Sequence, residues 1–173
     1  MHIADVNIQM RWQTNALTTW NPLPAGQQAY RFSGTNSPAK LPFGLARNGD
    51  IPADLVTWGN TEGYNYGNET DLLFYDDANI TVDLVVNLHA VKKEPVYFFL
   101  TDGGTEIPGT RVSYTPKLDN GKQTIIPRMS TKVRNGEQIG LSWETTSASG
   151  AYLETDDKRY PMLLAKITTQ GAV

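Results

Sequence analysis

The alternation in residues 80–88 constrains this chain more than any other feature. Ile80, Val82, Leu84, Val86 and Leu88 fall on every second position, with Thr81, Asp83, Val85 and Asn87 between them. A period of two puts one set on one face of a pleated strand, so that one face packs on a core while the other meets water or a second protein. Val6, Ile8, Met10 and Trp12 alternate in the same way and predict a strand over 3–12. Gln28–Phe32 reads as another strand. Between 72 and 167 the pattern predicts eight more, at Leu72–Tyr75, Ile80–His89, Val96–Leu100, Arg111–Thr115, Thr124–Met129, Gln138–Trp143, Ala151–Glu154 and Met162–Ile167. No stretch has the period of a helix.

Turn chemistry supports this spacing. Asp102-Gly103-Gly104, Asn120-Gly121 and Asn135-Gly136 lie between the expected strands, and such pairs accept a positive φ at little cost. Pro127 falls inside the Thr124–Met129 strand, where it lacks a ladder donor, so that strand is expected to be an edge or bulged. Eight antiparallel strands at this spacing predict an all-β fold, a two-sheet antiparallel sandwich of the jelly-roll type. Residues 33–54 hold Gly34, Pro38, Pro42, Gly44, Gly49 and Pro52 and read as an irregular arm. The expected division is therefore an N-terminal strand and proline- and glycine-rich arm over 1–57, followed by the jelly-roll domain over 58–173.

Composition narrows the chemistry. The 173 residues contain no cysteine, which removes disulfides, thiolate metal sites and cysteine nucleophiles. The first residues lack a basic region followed by an apolar block, and no stretch approaches the ~18 apolar residues of a membrane span. No membrane partner is expected, and assembly in the producing cell's cytoplasm is. The sequons at Asn68 and Asn79 then carry little meaning.

The net charge of −3 is unevenly placed. Residues 51–90 hold seven acidic residues and no Lys or Arg, whereas residues 1–50 carry Arg11, Arg31, Lys40 and Arg47 against Asp5 and Asp50. An acidic middle is unsuited to nucleic acid, which wants a clustered basic stripe, but it permits docking through complementary patches. A solvated acidic face is the simpler meaning of such a run.

No Ser stands in a nucleophile elbow, and Gly121-Lys122 lacks the rest of a phosphate loop. His89 ends its strand without an orienting partner in the pattern and reads as a surface or packing residue. Asp76-Asp77-Asn79 and Glu154-Asp156-Asp157 do not follow the calcium-loop spacing, and turn chemistry accounts for them. Glu144 and Glu154 are a formal glycosidase pair with nothing to place them together. The chain therefore reads as a non-enzyme without catalytic, metal or cofactor residues.

Its aromatic residues divide in two. Trp12 and Trp143 continue the alternation of their strands and are expected in the core. Trp58, Tyr64, Asn65 and Tyr66 fall in a Gly- and Asn-rich segment read as irregular. They form either a candidate binding surface, for a glycan or a protein, or a cover over one end of the sandwich. Trp12, Trp20, Arg31 and Arg47 mark a candidate docking arm.

The strand cadence of the second half resembles that of tumour necrosis factor-like jelly rolls. Four runs carry the resemblance: Ile80-Thr-Val-Asp-Leu-Val-Val-Asn-Leu, Pro95-Val-Tyr-Phe-Phe-Leu, Asn135-Gly-Glu-Gln-Ile-Gly-Leu-Ser-Trp and Met162-Leu-Leu-Ala-Lys-Ile. It covers roughly 70–168 and is a pattern of strands, not a diagnostic motif. It implies a homotrimer and, since phage and viral relatives use the module on their particles, a virion location. The expectation is a capsid decoration (cement) protein that docks on the major capsid protein or another virion protein. The alternative is a carbohydrate- or receptor-binding module at a spike or fibre tip. A third reading is an accessory domain of a sugar-active enzyme.

Overall fold

The computed structural model describes residues 8–11, 21–22, 30–34, 38–41, 46–48, 56–59, 71–146, 150–155 and 163–171. Among them every regular element is a strand and none is a helix. In chain order these are β1 (Ile8–Arg11), β2 (Asn21–Pro22), β3 (Tyr30–Gly34), β4 (Ala39–Leu41), β5 (Ala46–Asn48), β6 (Val56–Gly59), β7 (Asp71–Phe74) and β8 (Ala78–Ala90). They continue as β9 (Val96–Asp102), β10 (Thr105–Glu106), β11 (Val112–Tyr114), β12 (Gly121–Ile125), β13 (Arg128–Val133), β14 (Gln138–Thr145), β15 (Ala151–Thr155) and β16 (Leu163–Gly171).

Two antiparallel sheets result. In the first, β8 is long enough to take two strands on each edge. One edge pairs with β16 over Ala78–Val86 and with β15 over Leu88–Ala90, and the other pairs with β13 and then β12. β16 pairs onward with β1 and β1 with β5, while β15 pairs onward with β3 and β3 with β2. In the second sheet β9 and β14 lie side by side. β14 pairs on its other edge with β7 and β4, and β7 pairs with β6. The far edge of β9 takes β10 and β11. The chain thus passes repeatedly between sheets: β7 in the second, β8 in the first, β9 to β11 in the second, β12 and β13 in the first, β14 in the second, then β15 and β16 in the first.

The inward residues of both sheets join one hydrophobic cluster. Ile80, Val82, Leu84, Val86 and Leu88 of β8 are all at most 1% exposed, as their spacing requires. Opposite them the second sheet contributes Leu72, Phe74, Phe98, Leu100, Leu141 and Trp143, each fully buried. Burying one such aliphatic side chain is worth about 1.5–3 kcal/mol, so the five on β8 make it the strand that the core depends on most. Trp143 stacks on Phe98 with ring centroids 6.0 Å apart, the core position its alternation predicts.

Turns follow their residues. Gly103 and Gly104 both take positive φ and place Thr105 opposite Asp102, which is the two-residue hairpin that β9 and β10 need. Asn120, at φ 55°, is the one described non-glycine residue with positive φ. Gly136, at φ 91°, sits third in a turn closed by Glu137 N–H donating to the Arg134 carbonyl.

Several elements depart from the reading of the sequence. Residues 33–54, read as an irregular arm, contain β4, paired to β14, and β5, paired to β1. Pro22 belongs to β2, opposite Tyr30 of β3. Pro127 separates β12 from β13 without bulging: Ile125 faces Val86 and Arg128 faces Asp83, so the register runs straight through. β12 and β13 pair only with β8 among the described residues, which makes them an edge, as expected.

Candidate functional site

The margins of the two sheets stand apart where β11 borders one and β12 and β13 border the other. A cleft of about 420 Å3 lies between them. Val112, Ser113 and Tyr114 line one side, Thr124 through Arg128 the other, and Phe98 contributes from β9. Ile125 turns into the core and is 6% exposed, whereas its neighbour Ile126 turns out and is 65% exposed. The lining is aliphatic, aromatic and hydroxyl, with one guanidinium and no carboxylate or imidazole. Such a surface suits the docking of a chain segment.

Local bonding shapes this margin. Leu84 N–H donates to the Pro127 carbonyl at 2.9 Å, and proline has no N–H to return. In the second sheet, on the edge of β9 away from β14, Thr110, 2% exposed, replaces a strand residue. Its hydroxyl oxygen accepts from Leu100 N–H at 3.1 Å and donates to the Ile107 carbonyl at 2.7 Å. This holds the edge of β9 between β10 and β11, where neither strand reaches it.

The outward face of β9 is closed by a charged group. The Arg111 guanidinium lies 4.4 Å from the Phe99 ring centroid and 5.2 Å from that of Tyr97. Its Nε donates to Glu106 Oε1 at 2.8 Å, its Nη2 to Glu106 Oε2 at 2.5 Å, and its Nη1 to Glu144. Hydrogen bonding from Arg111 holds the Glu106 carboxyl below its usual range, and the same bond raises the guanidinium pKa. Phe99 is consequently only 3% exposed. The run Val96-Tyr97-Phe98-Phe99-Leu100 carries apolar or aromatic residues on both faces of β9, and Arg111 covers part of the outer one.

The outward face of β8 is a ladder of polar cross-strand pairs. Thr81 Oγ1 lies 3.0 Å from Ser130 Oγ, Arg128 donates to both oxygens of Asp83 at 2.6 and 3.2 Å, and Thr124 Oγ1 donates to Asn87 Oδ1 at 2.8 Å. His89 packs against Tyr152 with ring centroids 6.0 Å apart. Elsewhere carboxylates tie turns. Asp77 accepts from Asn135 N–H, Asp102 from Gln138 N–H, Asp119 from Lys93 N–H and Glu137 from Arg134 N–H. Asp76 accepts from Asp77 N–H, the turn role that its sequence context suggests. Among the described residues no group of three or more His, Asp or Glu is placed to hold a metal.

The residues singled out from sequence are scattered. Trp58, expected in an irregular segment, stands in β6 opposite Leu72. Its backbone is fixed by a strand partner that the glycines around it conceal. Arg31 stands in β3 opposite Glu154, and Arg47 in β5 opposite Met10. Tyr64, Asn65, Tyr66, Trp12 and Trp20 lie outside the described residues. The cleft residues were not singled out. Their available signal was Pro127 inside an otherwise good strand, which marks an edge but not what lies beside it.

Scanned against models of known protein families and against curated proteins, the chain matches none.

Proposed function

We propose that this chain is a non-enzymatic structural protein of a phage or viral particle, a trimeric capsid decoration (cement) protein built on a jelly-roll sandwich. The observation that carries the reading is the strand order. β16 lies between β1 and β8, with β12 and β13 beyond β8, while β14 lies between β7 and β9, with β10 and β11 beyond β9. Consecutive strands crossing between sheets in this order support reading them as the double Greek key of a jelly roll. The tumour necrosis factor-like cadence points the same way and brings the trimer with it. Fold alone does not settle function, so the use of the polar groups is the second support. Glu106, Glu144, Asp83, Asp77, Asp102, Asp119 and Glu137 are engaged in ion pairs or turn ties, the pattern of a protein built to stay in shape.

Light scattering on the purified protein should give three times the 19.1 kDa chain mass. Particles lacking the protein should lose resistance to heat or to chelators, and adding it back should restore that resistance. A monomer at micromolar concentration together with particles of unchanged resistance would refute the proposal.

The receptor-binding alternative draws on one observation, the side-by-side placement of Asn87, Thr124, His89 and Tyr152 on the outward face of β8. Amide, hydroxyl and ring groups on a flat face suit sugar hydroxyls and sugar rings. Specific glycan-array binding lost in Tyr152→Ala would favour it, and a silent array would favour cement.

A further inference from the structure

We propose that the edge of β12 and β13 turned away from β8, with which no strand among the described residues pairs, is a strand-addition site for an extended acidic segment of a partner protein. The bond from Leu84 N–H to the Pro127 carbonyl fixes the parity of this edge. Ile125, Pro127 and Met129 turn their backbone groups toward β8, and Thr124, Ile126, Arg128 and Ser130 turn both N–H and C=O away from it. A proline on an edge strand ordinarily faces its missing donor to solvent, which spoils the edge for further pairing. Pro127 is placed the other way. The chain forgoes an inward bond to Leu84 and keeps the outward row of donors and acceptors complete.

A strand added along that row would lie about 4.8 Å from β12 and β13, on the cleft side of the sheet margin. Every second side chain would enter the cleft against Phe98, Val112, Tyr114 and Ile125, and the others would join the outward face beside Ile126. The visitor must therefore be apolar at alternate positions. Its charge follows from the edge itself. Besides Arg128, whose charge Asp83 of β8 already meets, residues 121–136 contain Lys122, Lys132 and Arg134 and no acidic residue. A second copy pairing through the same edge would bring these like charges together, whereas an acidic segment complements them. This geometry is independent of whether the chain belongs to a particle.

The test uses the full chain and a synthetic peptide of about eight residues alternating valine with glutamate, beside a control alternating valine with lysine. Amide hydrogen exchange is followed at Ile126 and Arg128. Saturating acidic peptide should slow exchange at both about tenfold or more, and the lysine peptide should leave it unchanged. Lys132→Glu, a surface change, should weaken acidic-peptide binding several-fold, and Ile126→Pro, which removes one outward donor, should abolish it. Unchanged exchange with the acidic peptide, or equal protection by the lysine peptide, would overturn the proposal. So would protection that grows with protein concentration alone, because the occupant would then be a second copy. Retained binding by Ile126→Pro would also overturn it, and if that variant fails to fold, Lys132→Glu decides.

Discussion

Leu84 gives its N–H to the carbonyl of Pro127 across 2.9 Å and receives no bond in return. The register nevertheless runs unbroken from Gly121 opposite Ala90 to Val133 opposite Ala78. One absent donor therefore leaves a gap in a single ladder, between β12 and β13, without moving a residue out of line.

Replacing that proline should change stability little. Pro127→Val supplies the returning donor, worth about 1 kcal/mol, but forfeits about 0.4–1 kcal/mol of restriction on the unfolded chain. The expected net change in urea denaturation is within about 0.5 kcal/mol, with a newly protected amide at position 127. A loss above about 2 kcal/mol would mean that the register through 127 is not as described.

Arg111 should matter more than an ordinary surface arginine. Arg111→Met keeps some cover over Phe99 but leaves Glu106 and Glu144 without their shared cation. With the guanidinium one-third exposed, solvent screening limits the expected loss to about 1–2 kcal/mol by denaturation. Arg111→Lys should recover little of it, because an ammonium cannot serve two carboxylates in a planar fork.

The same pair sets a pH dependence. The Glu106 carboxyl is held below its usual range chiefly by hydrogen bonding from Arg111. A depressed carboxyl contributes stability that is fully present above its unfolded value of about 4.3 and is lost as pH falls through the lower folded value. Thermal melts below that pH should therefore fall more steeply for the natural protein than for Arg111→Met. Parallel curves would remove Glu106 from the account.

Gly140 should not tolerate a methyl group. It stands between Asp71 of β7 and Thr101 of β9, and a Cβ there would lie 2.5 Å from Asp71 Oδ1 and 2.7 Å from Thr101 Oγ1. Both neighbours are 1% exposed and have little room to retreat. Gly140→Ala is expected to cost about 1–3 kcal/mol, measured by chemical denaturation. A neutral result would show that these side chains can move aside.

Much of this fold was legible in the chain alone, because its signals are local. The inward residues of β8 follow from a period of two, Trp143 from the alternation of its strand, and the tight turn after β9 from Asp102-Gly103-Gly104. An edge position for the strand around Pro127 follows from its missing donor. What the tertiary structure decided depends on partners far away in sequence. β4 has three residues and no pattern of its own, and it is a strand because Lys40 meets Ser142 of β14. Trp58 lies among glycines and is a strand residue because Leu72 is beside it. That Arg111 folds back over Phe99 to reach Glu144 depends on β9 running between them. Periodicity assigns a residue to a face, but not to a neighbour or to a direction within the sheet plane. Only the pairing of β12 and β13 with β8 turns the missing donor of Pro127 inward, leaves the outward row complete, and sets it beside the cleft.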